Sequence, residues 1–431
     1  MNHMWRYVLS FGFVGAFFGC VPAVTSTPIE TQEPAEVASL SPAAGMEVGP
    51  EQQGLTPLEL LAKASTHLER GLKALEVENA VEAQAAFIEA IALKEDFLPG
   101  HYNLAKVLVD EGLLERAEKE YRRVLEIEPG FGPGVAGLGG VLEARGDRDG
   151  AVRLFQSALK SHEENTSARA ALAQLLVRGG KLEEAREEAL LVLRIDERNA
   201  QAILALGMIY RRQGKFELAE MALRQALDVD RRLGTAFNEL GIALNAQGKK
   251  AQAVQAFELA VKANPGSASV YNNLGVLRTD VGAYRLATEA LERATELEGE
   301  RPEYLVNLAN AYRGDQRYVE AEATYLKALR LREDLGSAIF NLGILYLDNE
   351  LPGKENPLVR YRLTIDYLNK YSQLGFVDEE DTEVLERYIT QAQKSIDKEN
   401  KALERRRKRE ARKRKRRERE EAKKREQEAG E

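Results

Sequence analysis

Along most of this chain, certain positions carry small residues and others carry bulky ones, and each kind of position recurs every 34 residues. One series of positions carries only alanine, a second only glycine or alanine, a third is bulky except at Ala189, and a fourth is all leucine. The alanine series is Ala83, Ala117, Ala151, Ala185, Ala219, Ala253, Ala287 and Ala321; the others run from Gly71 to Gly343, from Phe87 to Tyr325 and from Leu104 to Leu342. This period predicts stacked repeats, because one unit cannot bury its apolar face alone.

Each period is predicted to form two short helices. In residues 234–267, Phe237, Leu240 and Leu244 fall on one helical face, Gly248 ends that helix, and Pro265 closes the unit. The predicted repeats begin near Ala64, Leu98, Gly132, Thr166, Ala200, Gly234, Ala268, Pro302 and Gly336. The last of them departs from the pattern, since the stretch LDNELPGKENPLVRY adds a loop before its second helix.

This length and this pattern of small and large residues resemble the tetratricopeptide repeat (TPR), over about two-thirds of the chain. The resemblance implies an all-α solenoid of about nine helix-turn-helix repeats in residues 57–376. It also implies that the first helices of the repeats line a groove that binds peptides or partner proteins.

The groove positions suggest where a partner would bind. A chaperone-binding subset of the family clamps a carboxylate with Lys and Asn, and this set is absent here. We therefore expect a partner at polar and aromatic groove residues of the later repeats. These candidates are Asn238, Tyr271, Asn272, Asn310, Arg313 and Phe340. A further recurring asparagine, at 103, 273, 307 and 341, has either a structural or a binding role.

The sequence gives little support for catalysis. His67 and His101 share one repeat position but lack the carboxylate or cysteine spacing of a metal site. A phosphate-binding glycine loop and a nucleophile with an associated base are also missing. We expect a non-enzymatic protein that has no cofactor and no bound metal.

The first residues resemble a bacterial lipoprotein signal. Arg6 precedes an apolar run of 7–19, which is shorter than the roughly 20 residues that span a bilayer. Cys20, the only cysteine, follows Gly19, although Phe17 stands where the family usually has leucine. The resemblance implies cleavage of residues 1–19 and lipid on Cys20. Two alternatives are an uncleaved anchor in the inner membrane and a buried cysteine without a special role.

Sorting and reach follow from the residues around Cys20. Val21 is not acidic, so the resemblance implies the periplasmic face of the outer membrane. Residues 20–56 are rich in proline and polar residues and show no helical or alternating period, which predicts a disordered tether. Such a coil reaches roughly 30 Å.

The C-terminal part divides by charge. In residues 377–402, Leu385, Ala392 and Ile396 keep an apolar stripe, which predicts a helix that caps the solenoid. Residues 403–431 are predicted to form a basic helical tail. Residues 401–431 contain 16 Lys and Arg and 8 Asp and Glu, whereas the whole chain carries −8, so the remainder carries −16.

Three functions for the tail stay open: a solvated extension, an anionic surface such as lipid headgroups or cell-wall polymers, and nucleic acid. The secretion signal disfavours nucleic acid, so none is expected as a partner.

The order of anchor, tether, repeats and tail is similar to TPR lipoproteins of Gram-negative outer membranes. The nearest group in layout is the TPR lipoprotein of the myxobacterial adventurous gliding-motility machinery. The resemblance implies a scaffold that holds envelope proteins of a trans-envelope complex. The alternatives are a pilotin-like assembly factor for a type IV pilus secretin and a regulator of a periplasmic cell-wall synthase.

Overall fold

The computed structural model describes residues 55–77, 79–375 and 379–428, and in these ranges all regular structure is helical. The predicted signal peptide, Cys20 and residues 20–54 of the predicted tether lie outside the described residues. The helices are α1 Pro57–Glu76, α2 Ala80–Leu93, α3 Leu98–Asp110, α4 Leu114–Ile127, α5 Gly132–Ala144, α6 Arg148–Ser161, α7 Thr166–Arg178, α8 Leu182–Ile195, α9 Ala200–Arg212, α10 Phe216–Val229, α11 Gly234–Ala246, α12 Lys250–Ala263, α13 Ala268–Asp280, α14 Tyr284–Leu297, α15 Pro302–Gly314, α16 Tyr318–Leu331, α17 Gly336–Asp348, α18 Pro357–Gln373 and α19 Glu379–Glu428. The predicted all-α solenoid of helix-turn-helix repeats is confirmed.

The chain forms two compact units. The N-terminal unit ends at Gly266 and contains α1 to α12, and the C-terminal unit begins at Ser267 and contains α13 to α19. Helices begin at eight of the nine predicted repeat starts, from Leu98 to Gly336. These boundaries could be predicted because insertions never interrupt the period.

The first helix is longer than predicted. It begins at Pro57 rather than near Ala64, and it has 20 residues. Thr56 and Glu59 form a capping box, in which the Thr56 amide donates to the Glu59 carboxylate at 2.7 Å. Because proline is favoured at the first helical position and the cap satisfies free amides, this extra turn is stable without a counterpart in the other repeats.

Glycines make the turns within repeats. Gly248 has φ +76° after α11, and glycines stand in the same conformation at the equivalent positions from Gly112 to Gly282. Gln316, which follows α15, has φ 63° at this position. A side chain is strained there, so glycine is the favoured residue.

The two helices of a repeat come together where glycine faces a bulky side chain. A Cβ placed on Gly139 would lie 2.1 Å from the Phe155 ring, and one on Gly241 would lie 2.7 Å from the Phe257 ring. Phe155 and Phe257 are buried. The small and bulky series of the sequence are therefore the two sides of one repeated contact.

The last repeat and the helix after it close the C-terminal unit. Asn356 caps α18 after the predicted loop. Leu385, Ala392 and Ile396 of α19 are buried, as expected of a cap. The helix then continues without a break through residues 403–420, all of which are exposed. Among the described residues, none of the helices has both the length and the apolar composition to cross a membrane.

Two neighbouring glycines of α5 allow a test of the packing. Gly139→Ala is expected to lower the free energy of unfolding by about 1–3 kcal/mol, because its methyl group overlaps Phe155. Gly140→Ala is the matched control. It has no atom within 4 Å of the new methyl group and is expected to raise stability by about 0.5–1 kcal/mol. Urea unfolding of both variants measures these effects, and equal effects would contradict the assigned packing.

Candidate partner-binding face

The groove positions are the fifth and ninth residues of the first helix of each repeat, as the resemblance implies. In the C-terminal unit, two of them are occupied by amides that bond to the next repeat. Asn307 donates to the Asn272 side chain at 2.8 Å, and Asn341 donates to Asn310 at 3.1 Å. The Tyr325 hydroxyl also donates to Asn310. The two bonds between asparagines join the first helices of adjacent repeats, whereas the tyrosine bond joins the two helices of one repeat.

The contacts favour a structural role for the recurring asparagine. Asn307 and Asn341 make the bonds between repeats, and Asn103 donates to the Pro99 carbonyl of its own helix at 2.8 Å. Asn273 also has an interaction partner. Binding by this series stays a prediction.

The other predicted binding residues also contact their own chain. The Phe340 ring lies 5.3 Å from the Tyr371 ring and 6.1 Å from the Tyr388 ring, so α18 and α19 cover it partly. A hydrogen bond from Arg293 to Glu296 raises the pKa of Arg293, and the nearby Tyr271 raises it further. Desolvation raises the pKa of Asp348, and the charge of Arg313 opposes this.

Asn238 belongs to the N-terminal unit, whereas the other five candidates belong to the C-terminal unit, and Asn238 has an interaction partner. The structure thus brings Asn272, Asn310 and Phe340 into internal contacts. Whether a partner also uses them stays a prediction.

The two histidines of the shared repeat position each face a carboxylate. His67 Nδ1 lies 2.8 Å from Glu89, and His101 Nδ1 lies 2.6 Å from Glu120. His101 Nε2 lies 2.9 Å from the Glu95 carbonyl. In the described part of the chain, the search for metal-binding groups of His, Cys, Asp and Glu finds none.

The sequence prediction missed a surface of the N-terminal unit on which α5 carries glycines beside two tyrosines. We call this surface the hollow and define it by Tyr102 and Lys106 of α3, Tyr121 of α4, and Gly137 and Gly140 of α5. The Tyr102 and Tyr121 rings are 6.1 Å apart, and the Lys106 ammonium lies 5.8 Å from the centre of the Tyr102 ring. A Cβ on Gly140 would meet nothing within 4 Å, so this surface of α5 is bare backbone.

Tyr121 points its hydroxyl at Gly137 of α5. The residue is 4% exposed, and a Cβ on Gly137 would lie 2.8 Å from the hydroxyl oxygen. This hydroxyl has no hydrogen-bond partner among the described residues, yet it is not among the atoms sealed from solvent. Any larger residue at position 137 would collide with the ring.

A comparison within the chain explains why Tyr121 lacks a partner. Tyr121 and Tyr325 occupy the same repeat position. Tyr325 bonds to Asn310, which Asn341 also contacts. The residues equivalent to these asparagines beside Tyr121 are Lys106 and Gly137. The hollow is therefore the same junction with its polar partners removed.

Electrostatics keep the tyrosines of the hollow protonated. Burial raises the pKa of Tyr121, and Tyr102 and Asp110 raise it further. Burial also raises the pKa of Tyr102. At neutral pH the Tyr121 hydroxyl can donate a hydrogen bond, and Lys106 adds a positive charge near the Tyr102 ring.

A signal for the hollow was present in the sequence. The helix α5 contains five glycines, at 132, 134, 137, 139 and 140, although glycine disfavours helices by about 1 kcal/mol each. Packing accounts for Gly139, which faces Phe155, and for Gly134, which is buried against Val124 as its equivalent Gly100 is against Ile91. The excess of glycine indicated a surface kept free of side chains.

Comparisons with known proteins agree with the repeat pattern. Models of the tetratricopeptide repeat match residues 98–131, 142–209, 204–268 and 305–339. The chain is a tetratricopeptide-repeat protein. A search of curated proteins finds no match.

Two solved structures are similar to this TPR protein. One is YrrB, described as a TPR protein with an unusual peptide-binding site; it is 21% identical, with a TM-score of 0.36, over 43% of this chain and 95% of the other. The second is a tetratricopeptide-repeat protein from Parabacteroides merdae, 14% identical with a TM-score of 0.40, over 58% of this chain and 99% of the other.

Tyr325, one of several buried tyrosines of the C-terminal unit, predicts a loss of stability at alkaline pH. Burial raises the pKa of Tyr325 from 10.0 to about 12, so the folded state holds this proton more tightly than the unfolded state. Its contribution is complete below pH 10 and is lost as the pH rises toward 12. The loss amounts to roughly 3 kcal/mol.

Chemical unfolding between neutral and alkaline pH measures this dependence. Tyr325→Phe is expected to have a smaller alkaline loss than the unmodified TPR protein, because the group that titrates is gone. An unchanged pH slope in this variant would refute the assignment.

Proposed function

We propose that this TPR protein is a non-catalytic scaffold that holds envelope proteins of a trans-envelope complex, and that this complex is the gliding-motility machinery. The TPR fold supports binding of protein partners. The finer assignment rests on the layout of the chain, in which a predicted lipid anchor and tether precede the repeats. On this proposal the protein is attached to the periplasmic face of the outer membrane through lipid on Cys20.

The hollow of the N-terminal unit is the observation that best supports binding. Its glycines expose backbone, and its tyrosine hydroxyl and lysine offer donors without an acceptor from the repeats. An extended peptide carries carbonyl or carboxylate oxygens that fit these donors. We assign the hollow as one contact of the partner, together with the candidates of the later repeats.

The proposal also assigns a role to the basic tail. The basic tail would contact an anionic surface near the anchor, because it is helical and exposed. Nucleic acid is not expected as a partner in this compartment.

Filling the hollow tests the binding assignment. Gly140→Leu places a side chain where the groove is open and is expected to reduce capture of the partner at least about tenfold, which corresponds to 1.4 kcal/mol. Gln225→Leu is the control, since it adds the same side chain at an exposed position of α10.

Affinity capture from envelope extracts, read by mass spectrometry, is the measurement. Equal capture by both variants would remove the hollow from the proposal. Motility components among the captured proteins would support the finer assignment, whereas pilus secretin components or a cell-wall synthase would favour the alternatives.

Removing the predicted lipid site tests the anchor. Cys20→Ala is expected to shift the protein from the membrane to the soluble fraction, because several acyl chains bind membranes almost irreversibly. The circular dichroism of the helices should not change. A variant that stays with the membrane would contradict the lipid anchor and favour an uncleaved one.

A further inference from the structure

The free part of α19 has an unusually dense positive charge. Residues 405–417 contain eleven Lys and Arg and one Glu, and all of them are exposed. At 1.5 Å per residue, this block is only about 20 Å long. Because the helix is continuous from Glu379, the cations have fixed positions around its axis.

The charges are unevenly distributed around this helix, and Arg406, Lys413, Lys415 and Arg417 lie on the flanks between two faces of different net charge. One face, here the basic stripe, carries cations at helical spacing without an acid in its centre. The stripe consists of Arg405, Lys408, Arg409, Arg412, Arg416 and Arg419. The opposite face carries Arg407, Glu410, Arg414 and Glu418 and is neutral in sum.

Ion pairs reinforce this division. On the opposite face, Arg414 and Glu418 are 2.9 Å apart. At the edges of the stripe, Glu404 bonds to Lys408 at 2.6 Å and Glu420 to Arg416 at 2.8 Å. The other members of the stripe, Arg405, Arg409, Arg412 and Arg419, have no carboxylate partner among the described side chains. Four guanidinium groups therefore project from one side of the helix.

The shape of this charge distribution favours a flat polyanion. A nucleic-acid groove has phosphates on both sides of an inserted helix, so it would also meet the neutral face. A membrane surface meets one face only. Guanidinium groups bind phosphate oxygens in pairs, and phospholipid headgroups carry such oxygens.

The helix offers no apolar side that could insert into lipid. Between residues 404 and 420, Ala411 is the only apolar residue, and it lies on the side opposite the stripe. Binding to a membrane would therefore be electrostatic and sensitive to salt.

We propose that the basic stripe binds anionic phospholipid headgroups and lays the end of α19 along a bilayer surface. This inference deepens the proposed function, on which it rests only for placing the chain beside a membrane. It gives the protein a second, reversible membrane contact at the end opposite Cys20. It assigns bilayer phosphates, rather than cell-wall polymers, as the anionic surface.

Vesicle binding by the full chain tests the inference. The protein is mixed with vesicles of phosphatidylcholine alone or of phosphatidylcholine with phosphatidylglycerol, and the bound fraction is measured by flotation. Phosphatidylcholine vesicles give the baseline from any insertion through the first residues. We expect tighter binding to the anionic vesicles, and loss of this increment at about 1 M salt, where the screening length is roughly 3 Å. No increment would overturn the inference.

Two matched variants separate the stripe from total charge. The stripe variant combines Arg405→Gln, Arg409→Gln, Arg412→Gln and Arg419→Gln, which are the four unpaired members of the stripe. The control variant combines Arg406→Gln, Arg407→Gln, Arg414→Gln and Arg417→Gln, and so removes the same charge from the other sides of the helix. Circular dichroism establishes that both keep equal helix content.

The affinity of the stripe variant for anionic vesicles is expected to fall at least about 100-fold further than that of the control variant. The reason is that each cation contributes only when it lies near the membrane surface, and the stripe is the side that faces it. Equal losses would overturn the one-faced assignment. Tighter binding to duplex DNA than to anionic vesicles, weakened alike by both variants, would overturn the bilayer in favour of nucleic acid. Partner capture through the groove does not depend on these residues, so failure here leaves the proposed scaffold standing.

Discussion

The close contact between a glycine or alanine on one helix and a bulky side chain on the other holds each repeat together. At Gly139 and Gly241 the facing phenylalanine occupies the space that a side chain would need. The contact brings the backbones of two helices close and buries an aromatic ring at the same time, so packing density and apolar burial arise from one pair. Because the pair recurs with a fixed period and each repeat contacts only its neighbours, a destabilising substitution in one pair affects the packing of neighbouring repeats only.

A second set of contacts joins successive repeats and is less regular. In the C-terminal unit the Asn307 and Asn341 side chains donate to amides of the preceding repeat. In the N-terminal unit, Glu143 of one repeat forms an ion pair with Arg178 of the next, with one bond of 2.7 Å. The chemistry of the link thus varies while the spacing of the helices does not. Polar links of this kind can be removed at one junction without loss of the fold, and the hollow at Tyr121 is such a junction.

Most of the fold could be predicted from the sequence, because the repeat positions report directly on helix contacts. The starts from Leu98 to Gly336 follow from the period alone. The early start of α1 at Pro57 does not, because it depends on a local cap at Thr56. The site was harder to predict for a physical reason. Groove residues such as Asn310 and Phe340 look available in the sequence, but their partners, Tyr325 and Tyr371, come from other helices.

The hollow and the basic stripe both lie at positions where packing between repeats does not determine which residue is present. At Gly140 the fold has room for a larger residue, yet glycine is present at a cost in helix stability. In α19 the apolar stripe ends after Ile396, and packing no longer decides which residues follow. Charge is then free to vary around the axis, but it is divided into a basic and a neutral face. Unforced choices of this kind indicate function more directly than the repeats do, because stability does not require them.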